Sequence, residues 1–180
     1  MSTDTNRRIE QPPLAEPTTW HEIDLTVNGR PVTAHVESRL LLADFLRGRL
    51  GLTGTHLGCE HGVCGACTVL LDDAPVRSCI ILAVQAAGSA VRTIESLAEH
   101  DEPLSPVQRA FHEQHGMQCG FCTPGFVMTC TAMIERTQRP DQDTVTDELS
   151  GHLCRCTGYR NIRAAAEQAL DERFGTQEAQ

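Results

Sequence analysis

The segment from Gly58 to Thr68 carries three cysteines at the spacing C-x4-C-x2-C, namely Cys59, Cys64 and Cys67, among the glycines Gly58, Gly62 and Gly65. Three thiols in so short a loop leave few uses other than a metal. A two-iron cluster takes four thiolates, and the plant-type ferredoxin spacing draws three from one loop and the fourth from further along the chain. Cys79 is the natural fourth. A loop folded round an anionic cluster turns sharply and brings backbone N–H groups close to sulfur, and side chains would obstruct both tasks.

A second set follows: Cys119-Gly-Phe-Cys122 and Cys154-Arg-Cys156. Each pair lies at or just before a predicted helix N-terminus, where free N–H donors and partial positive charge favour thiolate over thiol. Arg155, Arg160 and Arg163 add positive charge there, either as a solvated face or as a partner contact. Structural zinc is the alternative for both sets, because four-cysteine zinc sites also use short spacings. It has more room at the second set, since a C-x-C pair is less diagnostic. A disulfide framework fits poorly, because the nine cysteines are odd in number and clustered. His152 lies two residues from Cys154, but cysteines already fill all four places and the two-histidine Rieske pattern is absent. A structural or interface role is expected for it. Cys130, on the apolar side of a predicted helix, reads as a small buried hydrophobe. His61, His112 and His115 have no companions at ligand spacing.

Along the chain, residues 1–19 are rich in proline and acid and predict a flexible arm. Ile23, Leu25 and Val27, then Val32, Ala34 and Val36, alternate about Asn28-Gly29 and predict a hairpin. Apolar residues from Leu40 to Leu50 recur at helical spacing and stop at Gly51. Thr68–Leu71 and Val76–Cys79 predict strands about a turn at 72–75, and Val91–Ile94 one more. Helical signals follow: Ser105-Pro106, Thr123-Pro124, Thr144 with Asp147 as a capping box closed by Gly151, and a last helix from about Asn161. The expected class is α+β, with a mixed-sheet domain over 20–95, a helical domain over 96–174 and a flexible tail over 175–180.

The formal net charge of −9 argues against nucleic acid or an anionic membrane as partner. No apolar run approaches the roughly 20 residues of a spanning helix. Arg7-Arg8 is followed by a polar, proline-rich stretch with no apolar region, so a cytoplasmic protein is expected. Nucleotide-binding loops and a nucleophile elbow are absent. The chain is expected to relay electrons between two other centres without selecting a substrate.

Three motifs, the run from Gly51 to Asp72, Gln118-Cys-Gly-Phe-Cys-Thr-Pro-Gly125 and Leu149-Ser-Gly-His-Leu-Cys-Arg-Cys-Thr-Gly-Tyr159, resemble the small iron-sulfur subunit of the xanthine dehydrogenase, aldehyde oxidase and carbon monoxide dehydrogenase (molybdenum hydroxylase) family. The resemblance covers about His21 to Leu170. It implies a plant-type ferredoxin β-grasp domain followed by an all-α four-helix domain, each with one 2Fe-2S cluster. By that likeness Cys59, Cys64, Cys67 and Cys79 hold the cluster facing a medium FAD-binding subunit. Cys119, Cys122, Cys154 and Cys156 hold the one nearer a large molybdopterin-binding subunit, and Gln118 and Cys156 approach the pterin. Electrons then run from substrate to molybdenum, through both clusters, to FAD or another acceptor; some relatives use a cytochrome instead, and one branch reverses the flow. The long arm, His152 where asparagine is common, Asp73 in place of a turn glycine, and the extra Cys130 depart from the pattern without removing a ligand. Family substrates include purines, aldehydes, N-heterocycles, aromatic acyl-CoA thioesters and carbon monoxide, all selected on the large subunit. The alternative is a free-standing two-cluster ferredoxin. An obligate subunit is expected to expose an apolar patch around Phe121, Phe126 and Tyr159.

Overall fold

The computed structural model describes residues 19–98 and 102–175. Apart from residues 19 and 175, the expected arm and tail lie outside them. Strands β1 (Trp20–Val27) and β2 (Arg30–Glu37) pair antiparallel over their full length about Asn28-Gly29. Both turn residues have positive φ, 50° and 74°, which is the two-residue turn whose twist matches that of the strands.

The predicted helix from Leu40 is shorter than its apolar run. α1 (Leu42–Asp44) passes into a π-helical turn over Phe45–Arg49, and Gly51 follows with φ of 71°. Leu40 and Leu41 are drawn away by backbone pairing: Leu41 bridges Leu82, and the Leu40 carbonyl accepts from the Ala83 N–H at 2.7 Å.

Strands β3 (Thr68–Leu71), β4 (Ala74–Arg77) and β5 (Ala90–Arg92) complete a five-stranded sheet in the order β2-β1-β5-β3-β4. β1 and β5 run parallel and the other pairs antiparallel, so a long crossover lies between the two hairpins. The β3–β4 turn is tighter than predicted. Asp72 and Asp73 alone form it, at φ of 49° and 65°, and the Asp72 carboxylate accepts the Ala90 N–H at 2.8 Å. That bond holds Asp72 in the turn, while Asp73, which stands where glycine is usual, accepts from Arg92 at 3.2 Å. Pro75 therefore lies within β4, and Ser78–Ile80 forms a 3-10 turn that carries Cys79. Ile23, Leu25, Val36, Leu42, Phe45, Leu46 and Val69 fill the core between sheet and α1.

Four helices follow: α2 (Pro106–Glu113), α3 (Thr123–Ile134), α4 (Gln142–Ser150) and α5 (Arg160–Phe174). α2 starts on a reciprocal Ser105–Gln108 capping box. Ser105→Ala is expected to cost about 1 kcal/mol, read as a lower unfolding midpoint. α4 starts earlier than predicted, because Asp141, not Thr144, is its cap; the Asp141 carboxylate accepts the Thr144 N–H at 2.7 Å. α3 is buried from Gly125 through Met133 without interruption, as a helix with neighbours on every side must be. One side packs with Phe111, Val145, Leu149, Ile162 and Leu170. On the other, Met128 and Ala132 meet Leu70 of β3. α3 therefore fixes the helical domain against the sheet.

Candidate metal centres

The first cysteine set gathers at one end of the sheet. Cys59 and Cys64 lie on the loop before β3, Cys67 at its edge and Cys79 on the 3-10 turn after β4. The Cys64 N–H points at the Cys59 sulfur, 3.3 Å away. Backbone N–H groups, that of His61 first and that of Cys64 next, draw the Cys59 thiol down to about 6. Cys79 is pushed up to about 11 by burial and by the neighbouring Cys67 thiol. Metal cations would supply the positive charge that burial denies it. A Cβ on Gly58 would stand 3.0 Å from the Cys64 sulfur and 3.3 Å from Phe121, so a side chain there would press on this thiol.

The second set lies at the ends of two loops. Cys122 is the N-cap of α3, and Cys154 and Cys156 precede α5. The Cys119 and Cys156 sulfurs are 3.4 Å apart. Cys119 is drawn down by the Phe121 N–H and by Cys156, while Cys156 is pushed up by Cys119. Burial and the adjacent Cys154 push Cys122 up to about 12. Burial alone would raise Cys154, but hydrogen bonds from the side chain and backbone of Thr157 outweigh it and draw it down. The Tyr159 hydroxyl accepts the Cys154 N–H at 2.9 Å.

In each set the thiols lie as two neighbouring pairs: Cys59 with Cys64, Cys67 with Cys79, Cys119 with Cys156, and Cys122 with Cys154. Two pairs suit two irons, each taking two cysteines. Among the described residues no three His, Cys, Asp or Glu side chains are gathered as for a single ion.

The sets meet at a seam between the domains. The Cys64 carbonyl accepts the Leu153 N–H at 3.0 Å, and Leu153 immediately precedes Cys154. His152 is buried, with Nε2 2.7 Å from the Thr129 hydroxyl and its ring 4.6 Å from that of Phe126. It is a structural residue of the seam. Burial, with help from the Arg77 charge, lowers it to about 3 and keeps it neutral. Cys130 is buried in the helical core and pushed up to about 12 by burial.

The expected apolar patch needs correction. Phe126 is fully buried in the helical core, and Tyr159 is half-buried with its hydroxyl engaged. Phe121 is exposed, stacked on His56, and the other exposed apolar groups near the cysteine loops are Val63, Ile80, Leu153 and Met117. Aromatic residues at helical spacing serve a core as readily as a surface, so spacing alone did not separate them. Nothing in the spacing pointed to Leu153 or Arg77, which act through backbone and cross-domain bonds. Thr157 and Tyr159 had a signal in their closeness to Cys156.

Residues 25–92 match the family described as 2Fe-2S iron-sulfur cluster binding domain, and residues 93–167 the one described as 2Fe-2S binding domain. The chain is 57% identical over 146 residues to caffeine dehydrogenase subunit gamma of Pseudomonas sp. (strain CBB1), covering 79% of this chain and 86% of that one. It is 53% identical over 150 residues to the nicotine 6-hydroxylase small subunit of Paenarthrobacter nicotinovorans, covering 83% and 88%. The crystal structure of quinoline 2-oxidoreductase from Pseudomonas putida 86 superposes with a TM-score of 0.78 at 46% identity, over 85% of this chain and 94% of that chain.

A β-grasp domain joined to a helical domain, each of a 2Fe-2S-binding family, defines a two-cluster electron-transfer protein. The chain belongs to the small iron-sulfur subunits of the molybdenum hydroxylase family. It is thus the electron-transfer subunit of a multi-subunit oxidoreductase with larger catalytic partners, and the zinc module and the free-standing ferredoxin are set aside. Among the described residues no helix is long and apolar enough to cross a membrane.

Proposed function

We propose that Cys59, Cys64, Cys67 and Cys79 hold one 2Fe-2S cluster and Cys119, Cys122, Cys154 and Cys156 the other, with the domains spanning 20–95 and 96–174. When bound, each cluster takes up and releases one electron. The observation that carries this reading is the hydrogen bond from the Leu153 N–H to the Cys64 carbonyl, which joins a residue of one thiol set to the neighbour of a residue of the other. It gives the relay a short connection within a single chain. The backbone N–H groups at Cys59 and the Thr157 hydroxyl at Cys154 stabilise thiolate charge at the two sites.

The second site faces a large molybdopterin-binding subunit. Gln118, Cys119 and Cys156 are exposed, and a partner that covers them brings the pterin to Gln118 and Cys156. The first site faces a medium FAD-binding subunit, with Val63 and Ile80 as exposed apolar contacts. The complex works in the cytoplasm. Caffeine, nicotine and quinoline in the relatives' names support an N-heterocyclic substrate, bound on the large subunit.

The test is to purify the complex from its own cells and assay iron, molybdenum, zinc and flavin in one peak. About four irons per small subunit are expected, with molybdenum, flavin and two larger chains co-eluting. Iron without molybdenum or partner chains would overturn the assignment of the second site's partner, and zinc in place of iron would overturn the ligand assignment.

A further inference from the structure

We propose that Arg77 is the positioning residue for electron exchange between the two cluster sites, one guanidinium holding both cysteine loops in fixed relation. The inference rests on the ligand assignment above. Arg77 closes β4, two residues before Cys79. Its Nη1 donates to the Thr68 hydroxyl at 2.6 Å, and that hydroxyl donates to the Gly65 carbonyl at 2.6 Å, between Cys64 and Cys67. Its Nη2 donates to the Gly151 carbonyl at 2.6 Å, three residues before Cys154. One side chain therefore ties the first loop, through Thr68, to the loop that carries the second. This tether runs beside the bond between Leu153 and Cys64 and carries none of the thiols.

The geometry is specific to a guanidinium. Its N–H groups lie in a rigid plane and reach acceptors in two directions, whereas a lysine ammonium is a point charge on a flexible stem. The seam it closes is otherwise made of close approaches. A Cβ on Gly65, whose φ is 77°, would run into the His152 ring and stand 2.8 Å from the Gly151 carbonyl. Once the fork is removed, the bond between Leu153 and Cys64 must hold the two loops in register without the side-chain tie to Gly151. Arg77 also places a fixed positive charge at the seam where the two loops meet, and charge and hydrogen bonding near a cluster set its potential.

The test compares the assembled complex carrying the natural chain, Arg77→Gln or Arg77→Lys. Two paramagnetic clusters close together split each other's resonance by an amount that depends on their separation and orientation, so the reduced complex reports the geometry directly. Both variants are expected to keep about four irons per chain and to show a weakened splitting. In redox titrations both potentials are expected to fall together in Arg77→Gln and to stay near the natural values in Arg77→Lys, which keeps the charge and loses the fork. Unchanged splitting in either iron-replete variant would overturn the proposal. Loss of a cluster from both would also overturn it, by making Arg77 part of building a site. Should Arg77→Gln alone fail to assemble, the lysine variant decides by the same reading. Failure of the ligand assignment is distinguishable, because the natural complex would then lack two cluster signals.

Discussion

Cys64→Ser is expected to remove one of the two clusters and spare the other, taking iron from about four to about two per chain. Cys64 and Cys59 form one neighbouring pair at the first site, with the Cys64 N–H directed at the Cys59 sulfur. A serine hydroxyl is a far poorer source of an anionic ligand than a thiol, so the pair no longer holds its iron. The second set has its own scaffold. Cys122 caps α3, and Cys154 is held by the Thr157 and Tyr159 hydroxyls. The one bond from Cys64 to that region leaves through its backbone carbonyl to the Leu153 N–H, which serine keeps. Iron analysis and low-temperature resonance spectra of the purified complex check the result: one signal is lost and the other keeps its position. Disappearance of both signals would mean that the sites do not form independently.

Gly125→Ala is expected to destabilise the subunit by about 3 kcal/mol or more, at or beyond the upper end of ordinary overpacking. Gly125 lies in the first turn of α3, and its missing side chain is what lets the helix touch the first cysteine loop. A Cβ there would overlap the Gly65 carbonyl oxygen and stand 3.2 Å from its carbon. Both atoms belong to the backbone of a loop held on either side by Cys64 and Cys67, so neither swings aside as a flexible side chain would. Either α3 moves off β3 or the loop deforms. Gly48→Ala is the matched control, because a Cβ at Gly48 meets nothing within 4 Å; that change is expected to be neutral or slightly stabilising. Thermal unfolding of the two variants, followed by loss of cluster absorbance, separates them. Equal midpoints would show that the seam is looser than the packing of Gly125 on Gly65 requires.

Legibility in the sequence followed the range of the interaction. The first hairpin was fully readable, because alternation and Asn28-Gly29 act over neighbouring residues. The Ser105 cap and the end of the first helical run at Gly51 were readable for the same reason. Errors arose where a distant partner competed. Leu40 and Leu41 have helical spacing but pair with Ala83 and Leu82. Phe126 falls near the exposed Phe121 in sequence, yet it enters the core because α3 is covered on all sides.

The cysteine spacings by themselves pointed to two metal sites, the first of the iron-sulfur type, and the resemblance of the three motifs carried the second set to iron-sulfur and the chain to electron transfer. A short loop keeps Cys59 beside Cys64 wherever the rest of the chain lies, whereas Cys119 reaches Cys156 across 37 residues of chain. Only the tertiary structure decided how the two sites stand to each other. Leu153 reaches Cys64, and Arg77 reaches Gly151 across 74 residues of chain. Those contacts exist because Leu70 of β3 packs against Met128 and Ala132 of α3. Docking two cores sums many small burial terms from residues far apart in the chain, and no local pattern of spacing carries that sum.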